Sequence, residues 1–206
     1  TNYGTGKQMR IIQCEQGTDE WLRARLSVLT ASNFSKVFTG AGKKSTSVDG
    51  LINTLVAERI TGNITETFKS EAMQRGNDLE EKARQLFELD QGLETQTIGL
   101  VKMDEHEIGC SPDALIGDDS GLEIKCPNAS TMVAYKRSGK LPAAYVQQVQ
   151  GSMLVTGRSS WWFYAYHPDM KPFVLHVERD DKLLAAAEEL LIETANKIND
   201  LTEKLK

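Results

Sequence analysis

The segment 110–126, CSPDALIGDDSGLEIKC, constrains the fold more than any other part of the 206-residue chain. Two short β-rich runs flank the turn-forming residues GDDSG, so the segment predicts an antiparallel hairpin. With 117–121 as the loop of this hairpin, Asp113 lies opposite Lys125. Because side chains alternate along a strand, one face of the hairpin is then largely apolar. The other face carries the polar residues Ser111, Asp113, Glu123 and Lys125.

The polar face of this hairpin has the composition of a hydrolytic metal site. Glu123 and Lys125 are two residues apart, and cross-strand geometry places Asp113 within about 5–8 Å of them. Two carboxylates at that spacing can share a divalent cation, and Mg²⁺ prefers oxygen ligands, to which the backbone carbonyl of Ile124 can contribute. A lysine beside such an ion can hold or deprotonate the attacking water. The alternative is a solvated hairpin with an Asp–Lys cross-strand pair, since the spacing alone is common.

A predicted helix over about 70–91 supplies a third acidic residue, Glu80. In the stretch QRGNDLEEKARQLFE, Glu80 lies at the border of an apolar stripe with helical spacing. The members of that stripe are Leu79, Ala83, Leu86 and Phe87. Gly76, one turn upstream, leaves space beside Glu80 at a cost of about 1 kcal/mol in helix stability relative to alanine. The alternative role for Glu80 is an i,i+4 ion pair with Arg84.

A second predicted helix, over about 142–156, brings a cluster of glutamines. In AAYVQQVQGSM the apolar residues at i, i+4 and i+8 are Tyr145, Val149 and Met153. They predict one buried line on this helix. Its rim then carries Gln147, Gln148 and Gln150. Glutamines at the rim either face a functional cleft or are merely exposed to solvent.

Helices and strands follow one another in blocks along the chain. We expect helical segments at about 19–26, 31–38, 48–61, 70–91, 130–138, 142–156 and 180–205. Strands are expected at about 95–103, 107–116, 121–126, 160–167 and 172–178. This order predicts an α/β architecture with a central mixed β-sheet flanked by helices, as a single domain over residues 1–206.

Charge and composition restrict the possible functions. The chain has 24 basic and 29 acidic residues, a net charge of −5, which argues against a general positive coat for nucleic acid. Residues 61–120 hold 14 acidic and 5 basic residues (5 − 14 = −9), either as solvated helix faces or as groups around bound cations. No apolar run approaches the ~20 residues of a membrane span, and the first residues do not resemble a secretory signal. We therefore expect a cytoplasmic protein with no membrane contact.

Five sequence blocks, taken together, resemble the phage lambda exonuclease family of viral recombinase nucleases, within the PD-(D/E)xK superfamily. In chain order these blocks are CEQGTDEWLRARLSVLTAS, RGNDLEEKARQLFE, CSPDALIGDDSGLEIKCP, QQVQGSM and VERDDK. They extend over nearly the whole chain in the order that the family has. The resemblance implies a restriction-endonuclease-like core.

The resemblance also implies roles for the acidic cluster. Asp113 and Glu123 would be metal ligands, joined by the carbonyl oxygen of Ile124. Lys125 would be the catalytic lysine. Glu80 would contribute from its helix, directly or through water.

Four further residues take roles from the same resemblance. Gln148 matches the family glutamine near the nucleophilic water. Arg25, Ser32 and Ser111 match a pocket for the 5′-phosphate of the substrate. Guanidinium and hydroxyl donors suit a terminal phosphate dianion better than an internal diester.

The function implied by the family is Mg²⁺-dependent 5′-to-3′ digestion of one strand of linear double-stranded DNA, with Mn²⁺ able to substitute for Mg²⁺. The products would be mononucleotides and a 3′ single strand, formed by a two-metal hydrolysis. The resemblance further implies a toroidal homotrimer around DNA, and a single-strand annealing protein as partner in phage-type recombination inside a bacterial host cell.

Two other functions stay open at this point. The same metal site could belong to a structure-specific or sequence-specific endonuclease, which would cut closed circular DNA. A catalytically silent DNA-binding or recombination scaffold is the other alternative, although all three signature residues, Asp113, Glu123 and Lys125, are retained.

Overall fold

The helices of the chain begin and end close to the positions that their caps predict. The computed structural model describes residues 9–64 and 71–206, with the backbone alone at 71–78. Its α-helices are α1 (Asp19–Arg25), α2 (Val48–Thr61), α3 (Glu71–Gln91), α4 (Ala129–Ser138), α5 (Val146–Thr156) and α6 (Asp181–Leu205). The hydroxyl of Thr18 caps α1 by accepting from the Trp21 N–H, and left-handed Gly62 ends α2. The segment predicted as a helix at 31–38 is a 3-10 helix, Ala31–Lys36, and a second one, Ala143–Tyr145, precedes α5.

In the part of the chain that the structure describes, eight strands form two mixed four-stranded sheets. The strands are β1 (Met9–Ile12), β2 (Leu29–Thr30), β3 (Leu100–Met103), β4 (Ile108–Cys110), β5 (Ala114–Ile116), β6 (Ser120–Lys125), β7 (Ser160–His167) and β8 (Met170–Glu178). The first sheet has the order β1-β3-β4-β2 and the second β5-β6-β7-β8. In each sheet one pair is parallel, β2 with β4 and β6 with β7. The predicted α/β class with mixed sheets flanked by helices is confirmed.

The sequence predicts one central sheet, whereas the strands divide between two at residues 111–113. Pro112, which has no N–H to donate to a ladder, lies in the break between β4 and β5. The predicted run 107–116 is therefore two short strands that belong to different sheets. This break is where the polar residues Ser111 and Asp113 lie.

The β5–β6 hairpin has a tighter turn than the sequence predicts. Ala114 pairs with Leu122 and Ile116 with Ser120, so the loop consists of residues 117–119. Gly117, with φ of +49°, supplies the left-handed conformation that such a short loop needs. The register differs by two residues from the predicted one, and it places Asp113 level with Glu123 rather than Lys125. A shift of two preserves the face of every side chain, because the strand period is two.

Two apolar clusters hold the layers together. In the larger one, α5 packs against the 3-10 helix Ala31–Lys36 and against β3, β4 and β7, and α2 packs against α6. Gly151 allows the close approach of α5, since a Cβ there would lie 2.1 Å from the Phe34 ring. In the smaller one, Ala83 and Phe87 of α3 cover the second sheet at Tyr164, as the predicted stripe requires. Among the described residues, no helix is both long and apolar enough to cross a membrane.

Candidate active site

Three predicted site residues meet beside strand β6. Glu123 and Lys125 lie on the same side of the strand, and the Lys125 ammonium donates a hydrogen bond to Oε1 of Glu123. The side-chain amide of Gln148, in the first turn of α5, donates to the same oxygen at 2.6 Å. Glu123 is only 1% exposed, so its carboxylate depends on these donors in place of water. The structure thus joins Glu123, Lys125 and Gln148 in one hydrogen-bonded cluster.

Asp113 lies next to this cluster, in the break between the two sheets. Its Oδ2 accepts a hydrogen bond from the backbone N–H of Ile124. This bond connects the segment 111–113 to strand β6. Burial raises the pKa of Asp113 well above its ordinary value, and the negative charge of Glu123 raises it further. Lys125 opposes this rise only in part. Asp113 is therefore a carboxyl whose negative charge the protein leaves poorly compensated.

Glu80 belongs to the same electrostatic group. Arg84 does not pair with it, as the alternative from the sequence requires, but with Glu81 at 2.7 Å and Glu88 at 2.8 Å. Burial raises the pKa of Glu80, the ammonium of Lys125 lowers it, and Glu123 raises it. Helix α3 therefore presents Glu80 toward the residues of the β5–β6 hairpin. The side-chain surroundings of Gly76, which the sequence places beside Glu80, lie outside the described part of the chain.

Lys125 carries a firmly held positive charge. Burial by itself lowers the pKa of its ammonium, but the carboxylates of Glu123 and Asp113 outweigh burial, so the net shift is upward. The ammonium also lies 5.3 Å from the centre of the Tyr145 ring, a cation–π distance. Tyr145, which the sequence treats only as a buried residue, thus borders the site at the start of α5.

The donor set fits a hard divalent cation better than a soft one. Asp113, Glu123 and Glu80 offer carboxylate oxygens, and the backbone of Ile124 runs between Glu123 and Lys125. Across residues 9–64 and 71–206, no three acidic, histidine or cysteine side chains already converge as a ready-made metal cage. In the described conformation Lys125 and Gln148 instead occupy Oε1 of Glu123. A cation would relieve the uncompensated charge of Asp113 and Glu80, and so the residues present fit Mg²⁺ or Mn²⁺.

A cleft of about 430 Å³ opens beside these acids. Glu80, Thr97 and Asp113 are among the residues that line it, together with Gln16 from the loop before α1. The amide of Gln16 donates to the carbonyls of Ile98 at 2.9 Å and Pro112 at 2.8 Å. Gln16, which the sequence did not single out individually, therefore ties that loop to the break that carries Asp113.

The three residues predicted to bind a 5′-phosphate lie in one neighbourhood. Nη2 of Arg25 is 3.5 Å from the hydroxyl of Ser32 and 3.4 Å from that of Thr30, at the long end of the hydrogen-bonding range. The indole N–H of Trp21 donates to Ser111 at 3.1 Å. The guanidinium of Arg25 lies 4.2 Å from the centre of the Trp21 ring, so Trp21 joins Ser111 to the other two.

Trp21 and Thr30 are members of this neighbourhood that sequence reasoning missed. A signal existed for Trp21, because it precedes Arg25 by four residues on α1 and so shares its face. Thr30 is two residues before Ser32, and the two hydroxyl oxygens are 3.1 Å apart. Burial lowers the pKa of Arg25 somewhat from its high ordinary value, and the guanidinium stays a cation at neutral pH.

The glutamine cluster divides into one site residue and two structural ones. Gln147 and Gln150 are 8% and 5% exposed, so the prediction that they lie at an open rim is wrong. The amide of Gln147 donates to the carbonyl of Phe38, and that of Gln150 to the carbonyl of Glu178. Because α5 is surrounded by strands and helices on nearly all sides, Gln147 and Gln150 are buried, and their amide N–H groups donate to backbone carbonyls of the protein. Gln148 is the member of the trio that contacts the acidic cluster.

Comparisons with known proteins point in a single direction. The model of the YqaJ-like viral recombinase domain matches residues 20–159. The uncharacterized protein ExoD of Escherichia coli (strain K12) is 38% identical over 63 residues, which are 29% of this chain and 72% of ExoD.

Solved structures resemble the whole described fold. The alkaline exonuclease LHK-Exo from Laribacter hongkongensis is 33% identical, with a TM-score of 0.83 over 91% of this chain and 96% of that one. The structure of LHK-Exo in complex with dAMP matches with the same identity and TM-score, over 92% of this chain and 96% of that one. A phage-related exonuclease from Haemophilus somnus 129PT, 16% identical, has a TM-score of 0.67 over 87% of this chain and 96% of its own, and shares the fold.

Proposed function

The chain belongs to the YqaJ-like viral recombinase family, of the phage lambda exonuclease type, and on that premise we propose that it is a 5′-to-3′ exonuclease of linear double-stranded DNA. It releases mononucleotides from one strand and leaves a 3′ single strand. The observation that carries the proposal is the short path between the phosphate pocket and the acidic cluster. Ser111 and Asp113 are two residues apart, about 7 Å in an extended chain, which is on the scale of one nucleotide.

That separation favours cutting next to an end. A terminal 5′-phosphate held by Arg25, Ser32 and Ser111 would bring the first phosphodiester to the carboxylates beside Asp113. The doubly charged terminal phosphate matches the guanidinium and hydroxyl donors of the pocket. An internal diester carries only one negative charge, so it fits the same donors less well.

The residues of the acidic cluster divide the chemistry among them. Asp113, Glu123, Glu80 and the Ile124 carbonyl would hold the Mg²⁺ or Mn²⁺ ions of a two-metal hydrolysis, which polarise phosphoryl oxygens and lower the pKa of bound water. Each turnover adds water across the P–O3′ bond of the first phosphodiester. The released nucleotide keeps the 5′-phosphate that it already carried and gains a 3′-hydroxyl, and the shortened strand gains a new 5′-phosphate.

Lys125 and Gln148 act on the water and on the developing charge. Since the pKa of Lys125 is raised, its ammonium stays charged, so it donates hydrogen bonds to the water and to the phosphoryl oxygen that gains charge. Gln148 donates to Glu123 through its amide N–H, and its carbonyl oxygen can accept a hydrogen bond from the same water.

The wider setting of the activity is part of the proposal. Residues 1–206 act as one nuclease domain, assembled as a toroidal homotrimer around duplex DNA. The 3′ single strand passes to a phage single-strand annealing protein in the cytoplasm of the bacterial host.

Time-resolved analysis of an end-labelled linear duplex in Mg²⁺ tests the activity. We expect 5′-labelled strands to release labelled mononucleotide first, and 3′-labelled strands to shorten progressively from the far end. Lys125→Ala serves as the control that binds DNA without turnover. Release of 3′-terminal nucleotides first would refute the polarity.

Closed circular DNA separates the alternatives. An exonuclease leaves covalently closed circles intact, whereas cutting of circles in Mg²⁺ would favour an endonuclease. Duplex binding with no nucleotide release in either Mg²⁺ or Mn²⁺ would favour a silent scaffold.

A further inference from the structure

The connection from α1 to β2 is a tight turn with a strained residue. The N–H of Val28 donates to the carbonyl of Arg25 at 3.0 Å, which closes a four-residue turn. Leu26 has φ of −52° and ψ of 121°, and Ser27 has φ of +61°. These angles match a type II turn, whose third residue requires positive φ and favours glycine. Ser27 is the single non-glycine residue with positive φ among the described residues.

Arg59 of α2 binds the carbonyl of this strained residue. Its Nη2 donates to the Ser27 carbonyl at 3.0 Å, and its Nη1 donates to Oδ1 of Asn199 on α6. Arg59 is half-buried, and α2 packs against α6 in the larger apolar cluster. One guanidinium therefore links the turn to the packed helices α2 and α6.

The turn lies between the two halves of the proposed phosphate pocket. Arg25 is the last residue of α1, on one side of the turn, while Thr30 ends β2 on the other side and Ser32 follows it. Strand β2 is only two residues long, and it is held by β4. Because the contacts of Arg25 with the two hydroxyls are already 3.4 Å and 3.5 Å, a small rearrangement of the turn breaks them.

We propose that Arg59 is a positioning residue that holds the type II turn at Ser27 and thereby sets the enzyme's preference for a 5′-phosphorylated end. This inference rests on the proposed function of the Arg25 pocket. Without the guanidinium, the Ser27 carbonyl loses this donor, and Ser27 can relax out of its strained positive-φ conformation. The path of the chain from α1 to β2 then changes, and Arg25 no longer faces Thr30 and Ser32. Arg59 itself contacts neither hydroxyl and acts through the backbone.

Glycine at position 27 provides a direct check of this mechanism. Glycine adopts positive φ without steric cost, so the type II turn forms without help from Arg59. The variant Ser27→Gly should therefore rescue Arg59→Met. If Arg59 contributed only to global stability, Ser27→Gly would not restore the preference for 5′-phosphorylated ends in Arg59→Met.

The experiment compares kcat/KM for linear duplexes with 5′-phosphate and 5′-hydroxyl ends in Mg²⁺. Arg59→Met should lower the phosphate-to-hydroxyl ratio by about fivefold to thirtyfold, the range set by the strain of one left-handed residue. The loss should lie mainly in KM for the phosphorylated end. Adding Ser27→Gly should restore most of the ratio.

Arg179→Met is the matched control. Arg179 also donates to a backbone carbonyl, that of Met153 at 2.8 Å, and to an acidic side chain, Asp181. Arg179 lies away from the turn, so Arg179→Met should lower the melting temperature without changing the phosphate-to-hydroxyl ratio. If Arg59→Met does not fold, Asn199→Leu, which removes one acceptor of Arg59, should lower the ratio less and again respond to Ser27→Gly.

The possible failures are distinguishable. A parental enzyme without any preference, or with one that Arg25→Ala does not affect, would overturn the pocket itself and the proposed function with it. A parental preference that survives both Arg59→Met and Asn199→Leu would overturn the positioning role alone. So would a loss that Ser27→Gly leaves uncorrected.

Discussion

Replacing Lys125 by methionine separates the contribution of its ammonium to catalysis from its contribution to the fold. Methionine keeps most of the volume of the side chain and removes the charge. The ammonium is a donor to Glu123, whose side chain is 2% exposed, while that of Lys125 is 26% exposed. The substitution therefore leaves the buried Glu123 carboxylate without its cationic partner. The Gln148 amide is then its remaining side-chain hydrogen-bond donor.

The structure sets the expected loss of stability. Removing one partner of a buried ion pair costs about 3–5 kcal/mol, and we expect the lower end, about 3 kcal/mol, because Gln148 continues to donate to the same oxygen. For a chain of this length that loss corresponds to a fall of about 6–12 °C in melting temperature. Urea and thermal unfolding in EDTA measure it without interference from divalent ions.

A double variant distinguishes the two roles. In Glu123→Gln/Lys125→Met both charges are gone, and replacing a buried pair by neutral groups of similar size is close to neutral, within about 1 kcal/mol. Stability should therefore return. Activity should not return, since we expect loss of the proposed catalytic lysine to lower kcat by about 10²- to 10⁴-fold, and the double variant also lacks a carboxylate that we propose as a metal ligand.

Three measurements therefore decide the reasoning about Lys125: the unfolding free energy, the rate of nucleotide release and the affinity for duplex DNA. We expect Lys125→Met to have a lower unfolding free energy and a lower rate of nucleotide release than the parent, with an unchanged affinity for duplex DNA. Parental turnover in Lys125→Met would refute the catalytic role. Parental stability in that variant, or no recovery in the double variant, would refute the buried pair as the source of the loss.

Three further predictions concern the phosphate pocket, the β5–β6 hairpin and Asp113. Arg25→Ala should erase the preference for 5′-phosphate over 5′-hydroxyl ends, and an unchanged ratio of initial rates would count against the pocket. Arg158→Met should lower the unfolding free energy by about 3 kcal/mol, because the buried Arg158 donates to three carbonyls of the β5–β6 hairpin; an unchanged urea midpoint would contradict this. Burial and the charge of Glu123 raise the pKa of Asp113 in the folded chain, so the folded form binds the Asp113 proton more tightly than the unfolded form does. The stabilisation that this proton gives the folded form is complete below the ordinary Asp pKa. It disappears as pH rises through the raised pKa. Asp113→Asn should thus become more stable than the parent as pH rises from about 5 to about 9 in EDTA, and a constant difference in urea midpoint across this range would show that the shift is absent.

Local rules were sufficient for much of the fold. The period of two in the hairpin put Glu123 and Lys125 on one face whatever the register, and that is why a register error of two residues left the faces intact. Thr18 at the start of α1 and Gly62 at the end of α2 mark those helix boundaries. Each of these signals depends on residues close together in the chain.

The composition of the candidate site depended on contacts between distant residues. Helical periodicity marked Glu80 and Gln148 as candidates, but only a resemblance to a known family gave them roles beside the hairpin. No local period relates a helix residue to a strand residue tens of positions away. The tertiary structure also showed that Arg84 pairs away from Glu80. It likewise buried Gln147 in contact with Phe38.

Sequence by itself therefore determined the helices, the strands, the polar face of the hairpin and the class of chemistry that this face supports. Only the tertiary structure decided that the strands divide at Pro112, that α5 is buried on nearly all sides, and that Arg59 reaches Ser27. The physical reason is one of range. Caps, turns and strand alternation arise from interactions within a few residues, whereas the partners of a buried polar group are chosen by the packing of the whole chain.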